Sequence, residues 1–350
     1  MVDFMMKVNA FISTCHKILS IWNINNILVL FLFLLASKPV YAEIDWVSVT
    51  LDNDLFIGND NGYTNGLYLS FFDVGSRSTK DMPNSDFWVA PLMWSMPKGD
   101  KLGAVNAYMI GQTMSTPSDI TIANPDDNEL PYSAVLALTN SYLAVTEKYA
   151  DRVSTTIGIV GPAALGEEAQ KFVHEIVDAD KPQGWDTQLE NELVFQFTRG
   201  RTWRVWESES KRFDFLSNAD FALGTIQSSM STGVTFRYGR NLIESYATTL
   251  FNSSRTSNPS AVNGGWYIYG GLQAGYIFNQ IFTDGNTFED SRSVDYDHEY
   301  IAATMGLAFS WQSASVTFAV TDSNLIQSGG TEETLENLTQ YGTITFAWQL

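Results

Sequence analysis

The chain has 350 residues, 45% of them hydrophobic, a formal net charge of −19 and a single cysteine. Such acidity excludes nucleic-acid binding through a basic face and suits a protein that tolerates or recruits divalent cations. One cysteine, Cys15, excludes an internal disulfide and a Cys-based zinc site.

Residues 1–42 read as a signal peptide. Lys7, His16 and Lys17 form a basic flank. Ile27 to Ala36 is an apolar core of about ten residues, too short to span a bilayer. Val40-Tyr41-Ala42 fits a small-x-small cleavage site after Ala42. Residues 43–350 would then form one domain with no cysteine and a charge of about −21, since three Lys and one Asp leave with the leader.

Trp46, Val47, Val49 and Leu51 precede a polar connection, and Leu67, Leu69 and Phe71 follow it. The pattern is strand, turn, strand. A turn explains Gly and Asn. It does not explain the further oxygen donors Asn53, Asp54 and Thr64, which suit a hard cation such as Ca²⁺ or a catalytic site. Alternation recurs over 108–114, 132–149, 155–160, 189–197, 213–223, 229–238, 266–278, 300–311, 315–320 and 341–348. That makes about twelve strands, with small or polar residues such as Thr139, Ser141, Gly271 and Gly275 opposite the apolar ones. Mean hydropathy is −0.08, which an antiparallel transmembrane β-barrel gives by averaging a polar lumen with an apolar exterior. The last strand alternates strictly at 344, 346, 348 and 350 and is suited to closing the sheet. The expected fold is therefore an all-β outer-membrane barrel, with a soluble sandwich or lipocalin-like barrel as the competing architecture. Closure leaves no sheet edge, so a monomer is expected.

One segment breaks the pattern. Residues 165–178 follow Gly161-Pro162, carry Glu167 and Glu168 in the first turn, and space Ala169, Phe172, Val173 and Ile176 as a helix does. This predicts a short helix in a loop at the barrel mouth, with Gln170 and His174 on one face. His174 is a candidate general base, because imidazole titrates near neutral pH. A helix that merely caps a loop, with His174 at its wet surface, is the plain alternative. His298, in a charged loop, reads as a solvated residue. No Gly-x-Ser-x-Gly elbow is present. Water activated by His174, with a cation polarising the attacked carbonyl, is the chemistry left. A closed barrel would bring Asn53, Asp54 and Thr64 near the helix some 110 residues downstream.

Three stretches carry a family likeness. They are Asn53-Asp54 with Tyr63-Thr64-Asn65-Gly66; Gly111-Gln112, Thr116-Pro117 and Pro131-Tyr132-Ser133-Ala134; and Ile159-Val160-Gly161-Pro162 through Gln170, His174, Trp185 and Gln188-Leu189-Glu190-Asn191. Together they resemble the lipid A 3′-O-deacylase (LpxR) family of Gram-negative outer-membrane barrels. The resemblance implies twelve strands and a site between wall and lumen near the outer leaflet. It also implies Ca²⁺-dependent hydrolysis of the 3′-acyloxyacyl ester of lipid A in lipopolysaccharide. It makes His174 the base, Asp54 a Ca²⁺ ligand, and Asn53, Thr64 and Gln170 the residues that shape the site and stabilise the oxyanion. Two family positions differ. Ser118 to Asn124 contains no Lys, and Pro182 stands where the family has a Tyr, with Lys181 beside it. These departures motivate the alternative of a diverged, inactive barrel acting as a pore or binding protein.

Overall fold

Period-2 alternation becomes twelve antiparallel strands in the computed structural model. It describes residues 44–53, 63–74, 82–96, 98, 101–177, 179–242, 264–311, 313–323 and 341–350. The strands are β1 (Trp46–Asn53), β2 (Tyr63–Asp73), β3 (Gly103–Ser115), β4 (Ser133–Val145), β5 (Tyr149–Val160), β6 (Glu192–Glu207), β7 (Phe213–Gly224), β8 (Gln227–Arg240), β9 (Trp266–Gln280), β10 (Glu299–Trp311), β11 (Ala314–Ser323) and β12 (Tyr341–Gln349). Each pairs with its sequence neighbours, and β12 returns to β1 to close the barrel. The closing register sets Val47 against Trp348 and Asn53 against Gly342. The strictly alternating terminal strand thus does what its pattern predicts. The signal-peptide reading falls outside the described residues.

Strand boundaries correct the sequence reading in two places. The run 132–149 is not one strand. It ends at Val145, and Thr146 closes a turn by hydrogen-bonding the Tyr149 carbonyl at 2.8 Å, so β5 starts at Tyr149 rather than 155. Apolar residues on both sides hide this turn. β6 continues to Glu207, far beyond 197, because alternating Arg and Trp carry it through the aromatic end of the wall.

The two faces differ as a membrane barrel requires. Outward side chains include Ile157, Phe195, Leu272, Ile301, Met305 and Phe346, all exposed. Exposed Trp203, Trp206, Trp311 and Trp348 gather at the end that holds both β1 and β12 termini and the short turns 146–148, 208–212 and 312–313. The end that holds the β1 N-terminus and the β12 C-terminus, with most of the short turns, is the periplasmic side of such a barrel, and the Trp residues there form its aromatic girdle. Among the described residues no helix is long and apolar enough to cross a membrane.

Inside, polar groups pair across neighbouring strands. Thr139 meets Thr156, Ser141 meets Ser154 and Thr50 meets Thr345, each at 2.8 Å. Arg237 holds Asp214 through two hydrogen bonds of 2.9 and 2.6 Å, both residues buried. Arg152 pairs with Asp220. Three inward tyrosines lie over glycines directly opposite in register: Tyr68 on Gly111, Tyr269 on Gly306 and Tyr300 on Gly275. A Cβ at Gly111 would stand 2.3 Å from the Tyr68 ring, so only glycine fits beneath it. Such aromatic–glycine pairs pin strand register.

Both ends of the lumen are filled. At the periplasmic end, Asn241 turns with φ 63° and sends Leu242 inward against Tyr267 and Tyr269. The Leu242 carbonyl accepts from Arg237 and Arg204 at 2.9 and 3.2 Å. At the outer end, Leu189 and Ile281 pack on the inward residues Val135, Val160 and Val194. Leu130 and Tyr296 join Ile277 beside them.

Candidate active site on the outer wall

The loop between β5 and β6 begins with a reversal that only glycine accommodates. Gly161 has φ 97°, and a Cβ there would lie 2.6 Å from the Glu190 carbonyl. A 3-10 turn, Pro162–Ala164, then leads into the helix α1 (Gly166–Val177), within a residue of the predicted span.

α1 does not sit at the mouth. It lies on the outer face of the wall. Register places Gln112, Ala134, Leu136 and Ile159 on the same face as the outward Ile110 and Ile157. Gln112 Nε2 donates to the Ala164 carbonyl at 2.6 Å. Gly166 approaches so closely that a Cβ would meet Ala134 Cβ and the Trp185 ring, each at 2.5 Å. Met114, Tyr132, Ala134, Ala164 and Trp185 form the dry contact beneath the helix. Of the apolar stripe that predicted the helix, Ala169 packs on this contact, while Val173 is exposed. Phe172, which belongs to that stripe, remains exposed. Farther along the same loop Leu189 enters the lumen, so the segment straddles the rim.

Gln170 is buried between helix and wall. Its Oε1 accepts from Trp185 Nε1 at 2.7 Å. That bond fixes the amide orientation, because an indole nitrogen can only donate. The Gln170 Nε2 group has no hydrogen-bond partner among the described residues. Leaving such a donor buried and unpaired costs about 1–3 kcal/mol. Trp185 packs against Tyr132 with ring centroids 5.0 Å apart. Burial pushes the Tyr132 phenol up to about 12, and its hydroxyl donates to the Ile120 carbonyl at 3.1 Å.

His174 follows one turn later on the same helix face. It is half-buried, and its Nδ1 lies 2.5 Å from the Asp180 carbonyl. A carbonyl only accepts, so Nδ1 carries the proton in neutral imidazole and Nε2 is left with its lone pair. The backbone turn that presents Asp180 also caps the helix, with Ala179 N–H on the His174 carbonyl at 3.0 Å.

Asn53 ends β1 on the outward face, in the alternation of Val47, Val49 and Leu51. β3, which carries the floor of the helix site at Met114, lies two strands away, about 10 Å by ordinary sheet spacing. The β1–β2 and β2–β3 hairpins join the two positions. Thr64 lies inside β2, where two steps from Tyr63 to Asn65 oppose one step from Ser115 to Met114. It is therefore the extra residue of a β-bulge, a feature frequent beside active sites. Asp54 lies outside the described residues. Among the described residues no three His, Cys, Asp or Glu side chains converge on a metal position.

His298 is exposed in the loop before β10, as the sequence suggests, and is anchored there. Its Nδ1 donates to the Ile277 carbonyl at 2.6 Å, and its ring stacks on Tyr276 at 5.5 Å. It belongs to the outer-end packing of β9 and β10.

The family model for outer membrane protein LpxR matches residues 28–350. The chain belongs to the LpxR family. Among solved structures, LpxR from Salmonella typhimurium superposes with a TM-score of 0.67 at 15% identity, covering 87% of this chain and all of that one. The β domain of the Bordetella autotransporter BrkA has a TM-score of 0.41 at 8% identity, covering 87% of this chain and 98% of its own. The COG4313 outer membrane channel from Pseudomonas putida F1 has a TM-score of 0.40 at 11% identity, covering 90% and 97%. Comparison with curated proteins gives no match. This LpxR-family chain is accordingly an outer-membrane barrel, and α1 lies on its membrane-facing exterior.

Its two departures from the family pattern are neighbours in space. Gln183 N–H bonds the Ile120 carbonyl at 2.8 Å, so the segment lacking Lys runs beside Pro182. Lys181 is exposed there, and in the Lys-free segment the Asp119 carboxyl is held below the usual range by hydrogen bonds from Thr121. Sequence reasoning did not assign Trp185 its part as the residue that orients Gln170. Nor did it find the Asp180 carbonyl, for which no signal exists because every residue offers one.

Proposed function

We propose that the protein is an outer-membrane lipid A deacylase that hydrolyses the 3′-acyloxyacyl ester with water activated by His174. The observation that carries this reading is the pair on α1: an imidazole whose Nδ1–H is committed to Asp180, beside a buried amide whose N–H groups have no partner. A general base needs the first arrangement, and an oxyanion needs the second. Their position on the outer wall near the extracellular rim suits an ester held in the outer leaflet.

In this reading His174 Nε2 removes a proton from water, whose oxygen attacks the ester carbonyl. Gln170 Nε2–H donates to the oxyanion. Collapse expels the 3′-oxygen, which takes the proton back from His174 and leaves as a hydroxyl, while the acyl chain departs as a carboxylic acid. Asn53, Asp54 and Thr64 would supply oxygen donors of the kind Ca²⁺ takes. Ca²⁺ held there would add positive charge opposite the oxyanion.

Mass spectrometry of lipid A from cells expressing wild type or His174→Ala tests the proposal. Wild type should lose the 3′-linked chain, and the variant should be slower by about 10²–10⁴. Chelation should abolish activity of the purified protein, and Ca²⁺ should restore it. Identical lipid A from both strains would sink the reading. A diverged barrel that binds without turnover is the second reading, motivated by the missing Lys and by Pro182. Wild-type protein that binds lipid A and leaves it intact would favour it.

A further inference from the structure

The β2–β3 connection holds a segment that the proposed chemistry does not use. Phe87–Ser95 is a 3-10 helix, and with Met96 it contains no charged residue. An element apolar on every side is covered on every side, by protein or by membrane. We propose that this segment is an interfacial strap, lying on the barrel exterior with Phe87 and Trp94 inserted into the phospholipid of the periplasmic leaflet.

One side of the strap is covered by the wall. Val89 and Met96 pack with Ala104, Tyr142, Ala144 and Val153, supported by Leu92 and Met93. The wall beneath is unusual. Its outward positions on β3 to β6 include Asn106, Tyr108, Asn140, Thr155, Asp151 and Arg199, where other strands carry apolar side chains. Facing hydrocarbon, these groups would be left without hydrogen-bond partners, which a membrane barrel does not tolerate. The strap and the residues before it supply partners. Tyr108 donates to Asp86 at 3.0 Å, Thr155 to the Trp88 carbonyl at 2.8 Å and Tyr142 to the Pro83 carbonyl at 3.3 Å. Asn106 donates to the Asn84 carbonyl, and Arg199 to the Ser95 carbonyl at 3.3 Å. Arg199 and Arg201 also pair with the fully buried Asp151.

On the other side, no cover comes from the described residues. Phe87, Ala90, Pro91 and Trp94 are exposed at spacings of three and four, with Phe87 at 65% and Trp94 at 81%. This stripe runs from the middle of β3 and β5, where Asp86 and Trp88 meet Tyr108 and Thr155, toward the periplasmic end of the wall. Ser95 reaches Arg199, and next to it Arg201 stacks over Tyr149 at 4.4 Å and over Trp203 at 5.9 Å. Those rings belong to the girdle that already meets lipid, so the strap continues an established membrane surface. Aromatic rings with cationic neighbours are the composition of a headgroup–acyl boundary.

The test uses full-length protein with Cys15→Ser and one new cysteine, Phe87→Cys or Trp94→Cys, labelled with an environment-sensitive fluorophore. Vesicles of phosphatidylethanolamine and phosphatidylglycerol carry doxyl-labelled lipid, and heat-modifiable gel mobility verifies folding. Emission from both positions should shift to the blue, be quenched by the lipid and resist aqueous iodide. Asp126→Cys in an outer loop should show the reverse. Iodide quenching of the strap in a folded barrel would overturn the proposal. So would protection from both quenchers accompanied by cross-linking between chains, which would make a second copy the cover. If Phe87→Cys does not fold, Ala90→Cys reports on the same stripe.

Discussion

At the scale of single residues, the site depends on which atom each hydrogen bond leaves available. Trp185 takes the oxygen of Gln170 and leaves the nitrogen; Asp180 takes Nδ1 of His174 and leaves Nε2. Gln170→Glu keeps the acceptor for Trp185 but removes the N–H donors. It should fold normally and lower kcat by about 10²–10³, the usual effect of removing one oxyanion donor. Wild-type turnover in folded Gln170→Glu would remove that role. His174 and Gln170 were legible in the sequence because helical spacing put them on one face. The Trp185 bond was not, since its loop closes fifteen positions downstream through tertiary contact alone.

At the scale of elements, the outer loops form one interlocked cap. Asn286 links to Glu190 in both directions at 3.0 and 2.9 Å, and Glu192 accepts from Thr287 and Phe288 N–H at 3.1 and 3.0 Å. Tyr296 anchors the cap through Asp284 at 2.9 Å. Burial first, and then Asp284, raises its phenol above the ordinary value of 10.0. A raised folded value means that this contribution is complete below the unfolded value and is lost as pH climbs toward the folded one. Proteolysis within 281–298 should therefore increase in alkali above about pH 10. Tyr296→Phe should remove that phase of the pH dependence, and an unchanged profile in the variant would show that another group governs it. The helix and the strands were readable from periodicity. The 3-10 strap was not, because an apolar run broken by Pro91 matches neither a strand nor an amphipathic helix.

At the scale of the whole molecule, apolar side chains pack inward at both ends of the barrel. Leu242 with Tyr267 and Tyr269 fills one end, and Leu189, Ile281, Leu130 and Tyr296 fill the other. Protein reconstituted in planar bilayers should give no steady conductance, and a stable open level would show that the lumen conducts. The proposed esterase site and the proposed strap both lie on the exterior of the wall.

The sequence by itself determined the alternation, the twelve strands, the closing terminal strand, the helix and the family likeness. All of these are local periodicities or short motifs, and period 2 or 3.6 survives in a linear string. Tertiary structure alone decided that α1 lies outside the wall. Which face of a strand meets the helix depends on register with the neighbouring strands. It also decided that Asn53 shares the outward face with Met114 two strands away, and that polar residues of the outer wall are covered by Phe87–Ser95. The alternating pattern records that two faces differ, but only closure of the barrel and the docking of its loops determine what each face touches.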